Sequence, residues 1–233
     1  MTVSNGAAQM NLVIPPLYVI IDSTLLKTSE LRFAEVMAES GVELLQYRHK
    51  HATSRRLFEV SSALSSRLSE FAQGERHAPR FIVNDRPDIA VLVHAGGVHV
   101  GQTDLGVAEA RAIVSAPDAP QQSCWVGIST HTLEQVDIAE RTSADYIAFG
   151  PVFPTETKEQ PDPVVGLALL TEARARTTKP LVAIGGITLE RAAETYCAGA
   201  DSLAVARDLL AAEKPGQRAR AFLNEAERAL RTG

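Results

Sequence analysis

Eight short apolar runs rich in Val and Ile recur along the chain: LYVII (17–21), VELLQYR (42–48), RFIVN (80–84), GVHV (97–100), CWVGIS (124–129), DYIAFG (145–150), PLVAI (180–184) and DSLAV (201–205). Between them, stretches such as LRFAEVMAES, SRRLFEVSSALSSRLSEFA and TLERAAETYCA carry apolar residues at helical spacing. Strand and helix therefore alternate. Strands that are apolar on both faces belong in a parallel sheet covered by helices. Eight such units in about 220 residues fit a closed (β/α)8 TIM barrel better than an open doubly wound sheet. The expected organisation is a flexible tail over 1–14, ending at Pro15-Pro16, and one α/β barrel domain over 15–233.

Composition narrows the function classes. With 23 Lys+Arg against 28 Asp+Glu the formal net charge is −5, and aromatic residues make up 5%. That is not the basic footprint of a nucleic-acid binder, and no apolar run is long enough to span a membrane. The first residues lack a basic segment followed by an apolar one, so a cytoplasmic location is expected. Cys124 and Cys197, set in apolar segments without zinc or disulfide spacing, are expected to be buried thiols. A homo-oligomer is left open.

In a (β/α)8 barrel the active site forms at the carboxyl ends of the strands, so the residues there matter most. The second run ends in Gln46-Tyr47-Arg48-His49-Lys50. Alternation places Gln46, Arg48 and Lys50 on one side and turns His49 and His51 away. Arg48 offers a planar fork and Lys50 a point charge to phosphate oxygens, unless both are merely solvated. Asn84-Asp85 and Asp104 follow the third and fourth runs. Each Asp could cap the next helix, but hard carboxylate oxygens beside a cationic clamp also suit Mg²⁺, which binds through one or two carboxylates plus substrate phosphates.

The segment GPVFPTETKEQPDPVVG (150–166) is too polar and Pro-rich for a regular element and reads as a mobile active-site loop, with Thr155, Thr157 and Lys158 able to meet an anion. Gly185-Gly186 after the seventh run permits close backbone approach to a phosphate. With Ala206-Arg207 after the eighth, it matches the phosphate site common in such barrels. A phosphorylated ligand is expected. Of the six histidines, His131 alone follows a strand directly, near Ser129, and is split between a helix-start hydrogen bond and a site role. His94 and His99 flank a strand and read as structural.

QYRHK, VNDRPDIA, GVHVGQTDL, GISTHT, ADYIAFGPVFPTETK, VAIGGIT and GADSLAV stand in the order and spacing of the thiamine-phosphate synthase family, which the chain resembles from about 17 to 225. The resemblance implies a transferase of thiamine biosynthesis that joins hydroxymethylpyrimidine diphosphate to hydroxyethylthiazole phosphate with release of diphosphate and Mg²⁺ as cofactor. It also implies a set of contacts. Gln46, Tyr47, Arg48, His49, Lys50, Asn84, Ser129 and Lys158 would hold the pyrimidine diphosphate, with Arg48, Lys50, Ser129 and Lys158 taking part in catalysis. Asp85 and Asp104 would hold the metal. Thr155, Glu156, Thr157, Gly186, Ala206 and Arg207 would hold the thiazole phosphate, although the family usually carries Ser at the Arg207 position. A related thiazole tautomerase, which resembles the synthase in fold and uses a His where His131 stands, needs no diphosphate-bound metal. Asp85, Asp104, Lys50 and Lys158 favour the synthase. A non-catalytic barrel binding a phosphorylated ligand would be expected to lose these charged residues.

Overall fold

The computed structural model describes residues 12–72, 77–116, 124–155 and 163–231. All eight expected strands form: β1 (Leu17–Asp22), β2 (Leu44–Arg48), β3 (Arg80–Asn84), β4 (Gly97–Val100), β5 (Trp125–Thr130), β6 (Tyr146–Phe149), β7 (Leu181–Ile184) and β8 (Ser202–Val205). Each pairs in parallel with its sequence neighbours, and β8 pairs with β1, closing the barrel. The helices that cover it are α1 (Glu30–Glu39), α2 (Ser54–Ser69), α3 (Pro87–Leu92), α4 (Val107–Val114), α5 (Leu133–Glu140), α6 (Gly166–Arg176), α7 (Leu189–Cys197), α8 (Arg207–Leu210) and α9 (Pro215–Arg231). Strand ends fall within one or two residues of the apolar runs, because an apolar run marks burial and not where ladder bonding stops.

Two apolar layers follow from the pleat. Val19, Ile21, Leu45, Tyr47, Val83, Val98, Val126 and Ile147 point outward beneath the helices. Tyr18, Ile20, Leu44, Ile82, Trp125, Tyr146 and Val182 fill the barrel interior. Space inside is short. Tyr146 crosses the axis only because β5 offers Gly127 opposite it: a Cβ there would lie 2.1 Å from the Tyr146 ring. The ring meets Tyr18 edge-on at 5.9 Å.

The packed chain begins before Pro15. Ile14, 6% exposed, closes the floor of the barrel against the interior layer, with Leu12 packed beside it, and Tyr196 donates a hydrogen bond from its hydroxyl to the Pro16 carbonyl. The fold thus takes in residues that composition assigns to the tail. Ile14→Ala should cost about 2–5 kcal/mol of stability, as truncation of a buried Ile does. Chemical denaturation checks it, and an unchanged midpoint would make the floor plug incidental.

No helix among the described residues is long and apolar enough to cross a membrane. Cys124 is partly buried, while Cys197 is exposed, contrary to the expectation of two buried thiols; it sits at the last position of α7, beyond the side that packs on the barrel.

Candidate active site

The carboxyl ends of the strands open into a cavity of about 1810 Å³, more than a single small-molecule pocket usually encloses and enough for two ligands. Its walls are built by alternation. Ile20 and Asp22 on β1 stand beside Gln46 and Arg48 on β2 in the parallel register, so the four side chains share the inward face. Asp22 is a carboxylate only 1% exposed. Thr24 donates to its Oδ1 from the backbone N–H at 3.0 Å and from Oγ1 at 2.6 Å, and Arg48 donates from Nη1 to its Oδ2.

Next along the rim, Asp85 leaves β3 with a left-handed backbone (φ 62°), a conformation that Asp tolerates better than most residues. Its N–H donates to the His99 carbonyl at 2.8 Å. Its carboxyl is hydrogen-bonded to that of Asp104, whose Oδ2 also accepts from the Gly101 N–H at 2.8 Å. Burial, then the bond to Asp104 and its charge, push the Asp85 carboxyl up to about 7, against the opposing pull of Lys50 and Arg48. Neither Asp is a helix cap: the residues before α3 and α4 are Arg86 and Gly106. Two carboxylates held against each other, one half-buried and one exposed at the cavity mouth, form a site that a divalent cation would relieve. Among the described residues no group of three or more His, Cys, Asp or Glu could enclose a metal. A cation here would therefore take further ligands from water or a ligand phosphate, which suits Mg²⁺.

A polar chain runs from the barrel centre to the opposite wall. Gln46 Nε2 donates to the Tyr18 hydroxyl at 2.6 Å, and the Tyr18 and Tyr146 hydroxyls are 3.0 Å apart. Tyr146 lies 3.1 Å from His99 Nδ1, and His99 Nε2 lies 2.8 Å from Ser129 Oγ. Burial raises both phenols far above their usual range, so they stay neutral. His131 must carry its proton on Nδ1, which donates to the Gly150 carbonyl at 2.6 Å.

Across the mouth, Gly185 and Gly186 adopt positive φ (95° and 65°). A Cβ at Gly186 would lie 2.6 Å from the Pro154 carbonyl oxygen, so only glycine brings this backbone so close. Beside them α8 is held by Arg218 of α9, whose Nε and Nη2 donate to Asp208 at 2.8 and 2.9 Å while Nη2 also reaches Glu190 at 2.8 Å.

A family model described as thiamine monophosphate synthase matches residues 17–209. The thiamine-phosphate synthase of Koribacter versatilis is 42% identical over 217 residues, covering 91% of this chain and 96% of that protein. That of Methanospirillum hungatei is 38% identical over 81% of this chain and 86% of its own length. Among solved structures, thiamine phosphate pyrophosphorylase from Pyrococcus furiosus superposes with a TM-score of 0.80 at 32% identity, covering 92% of this chain and 96% of that one. The chain belongs to the thiamine monophosphate synthase family.

Within this family member the cavity gathers Gln46, Arg48, Lys50, Asn84, Asp85, Asp104, Ser129, Thr155, Gly186, Ala206 and Arg207. Tyr47 and His49 are not brought to it. Tyr47 is 0% exposed beneath the helices and accepts from Ser23 Oγ at 3.2 Å, and His49 Nδ1 lies 3.5 Å from the Tyr47 hydroxyl on that outer side. Strand alternation separates them from Gln46 and Arg48. Glu156, Thr157 and Lys158 lie outside the described residues. Three cavity residues depart from the sequence reading. His51, expected to face away, lines the mouth because β2 ends at Arg48 and alternation lapses. His99, expected to be structural, stands on the inner wall of β4. Asp22 went unread, although alternation from Ile20 carries it inward.

Proposed function

We propose that this chain is a thiamine-phosphate synthase, a transferase joining hydroxymethylpyrimidine diphosphate to hydroxyethylthiazole phosphate. The observation that carries this reading is one cavity with the Asp85 and Asp104 carboxylates beside Arg48 and Lys50 on one side, and the Gly185-Gly186 backbone with Arg207 on the other. Those two sides suit a diphosphate and a monophosphate.

The reaction breaks the bond between the pyrimidine methylene carbon and a diphosphate oxygen, which leaves with the electron pair. The thiazole nitrogen then bonds to that carbon. The 4-amino group can stabilise a methylene cation, so the protein needs no nucleophile and must stabilise the departing charge instead. Arg48 and Lys50, with Lys158, meet that charge, while Asn84 and Ser129 orient the pyrimidine substrate. With Nε2 committed to Tyr18, Gln46 keeps its carbonyl oxygen as the acceptor for an amino group. Mg²⁺ held by Asp85 and Asp104 would neutralise the diphosphate oxygens. Thr155, Gly186, Ala206 and Arg207, with Glu156 and Thr157, hold the thiazole phosphate and so aim its nitrogen.

Binding tests the two halves separately. At a hundredfold excess over its Kd, each substrate should stabilise the fold by about 2.7 kcal/mol. The diphosphate should need Mg²⁺ for this and the monophosphate should not; stabilisation by neither ligand would remove the reading. Arg207 tests the second half. Arg207 lines the cavity, at the position where the family usually has Ser. Arg207→Ser should raise KM for the thiazole phosphate about tenfold, the worth of one charge-assisted hydrogen bond, and leave that for the pyrimidine substrate alone. An unchanged KM would return the phosphate to backbone amides.

A further inference from the structure

The best-buried carboxylate on the cavity wall has no part in the scheme above. Asp22 and Arg48 are register partners on β1 and β2, and their side chains meet at the rim, with the carboxylate 1% and the guanidinium 17% exposed. A buried charge on this scale is kept only when it is paired and hydrogen-bonded. Asp22 meets both conditions: Thr24 fixes Oδ1 with two bonds, and Oδ2 takes Arg48 Nη1.

The arrangement is directional. The Asp22 backbone carbonyl accepts from the N–H groups of Leu25 and Leu26 at 3.1 and 3.2 Å, so the turn after β1 is wound around the residue and the carboxylate cannot follow Arg48 if it moves. On its other side Arg48 feels the carboxylate pair of Asp85 and Asp104, for its charge acts on Asp85. An Arg without Asp22 would be drawn across the mouth onto that pair, where it would compete with a cation and take its fork away from an incoming diphosphate. One of its five N–H donors spent on Asp22 leaves the rest of the fork to meet phosphate oxygens.

We propose that Asp22 is a positioning residue for the coupling reaction: it anchors Arg48 away from the Asp85–Asp104 pair and aims its guanidinium at the leaving diphosphate. This rests on the reading of Arg48 as a leaving-group cation.

A double-mutant cycle on the full chain tests it, with Asp22→Asn, Arg48→Ala and the combination assayed with Mg²⁺ and both substrates. Asp22→Asn should lower kcat about tenfold, as the loss of one charge-assisted bond would, while KM for the thiazole phosphate stays put. In the Arg48→Ala background it should add no further loss. Titration with inorganic diphosphate and Mg²⁺ should show the same weakening in Asp22→Asn and none beyond that of Arg48→Ala in the double variant. An unchanged kcat in Asp22→Asn, or an equal loss in both backgrounds, overturns the proposal. A wild-type kcat in Arg48→Ala overturns the reading it rests on. Melting curves confirm folding of each variant. If Asn prevents it, Asp22→Glu, which keeps the charge but displaces it by a methylene, should give the same non-additive pattern.

Discussion

Asp85→Asn and Asp104→Asn should each lower turnover by about a hundredfold or more at limiting Mg²⁺, because each removes one anionic ligand from a site with few protein ligands to lose. The fold should survive, since both side chains sit at the cavity mouth and not in an apolar layer. The pH dependence carries a definite sign. Burial and Asp104 raise the Asp85 carboxyl to about 7, so in the folded protein it holds a proton that the unfolded chain has already released. The folded state binds more protons across that interval, and metal-free stability therefore falls as pH rises from the usual carboxylate range to about 7. Above that the penalty is complete. Asp85→Asn has no such group, so its metal-free stability should exceed that of the parent above pH 7 and converge with it in acid. A bound cation must displace the same proton, so apparent Mg²⁺ affinity should climb with pH and flatten near 7. Near-normal turnover of either variant at low Mg²⁺, or a flat affinity profile, would remove the metal assignment.

The second large effect is expected in the barrel interior. Gly127→Ala places a methyl group where the Tyr146 ring now stands, 2.1 Å from its nearest atom. That ring cannot swing aside at low cost: it is fully buried, with its hydroxyl between those of Tyr18 and the His99 imidazole. Overpacking of this kind costs about 1–3 kcal/mol or more. Here it also breaks the chain of hydrogen bonds that ends at Ser129. The variant should melt several degrees lower and lose kcat together with affinity for the pyrimidine substrate, while KM for the thiazole phosphate holds. A variant with full activity and parental stability would show that the interior has slack.

Much of this was legible from residues alone, for identifiable reasons. Strands buried on both faces read as apolar runs, so all eight were visible and their parallel closure followed. Gln46 and Arg48 share the inward face because a strand alternates; the same rule sends Tyr47 under the helices, where contiguity within QYRHK had suggested a ligand contact. The carboxylate pair was visible as two separate aspartates. Its coupling was not, because it depends on the left-handed turn at Asp85 that swings one strand end onto the next. His99 was hidden in the middle of the short run GVHV, where a polar residue passes for a buried one. Asp22 was hidden as the last inward residue of β1, one position past the apolar run.

Both substrates should meet in this one cavity and be coupled there. The direct measurement is incubation of the purified chain with hydroxymethylpyrimidine diphosphate, hydroxyethylthiazole phosphate and Mg²⁺, with thiamine phosphate and diphosphate followed together. Coupling in this cavity yields the two products in equal amounts, with none when either substrate is omitted, and is lost on chelation of the metal. Release of diphosphate without thiamine phosphate, or conversion of the thiazole phosphate in the absence of the pyrimidine, would contradict it.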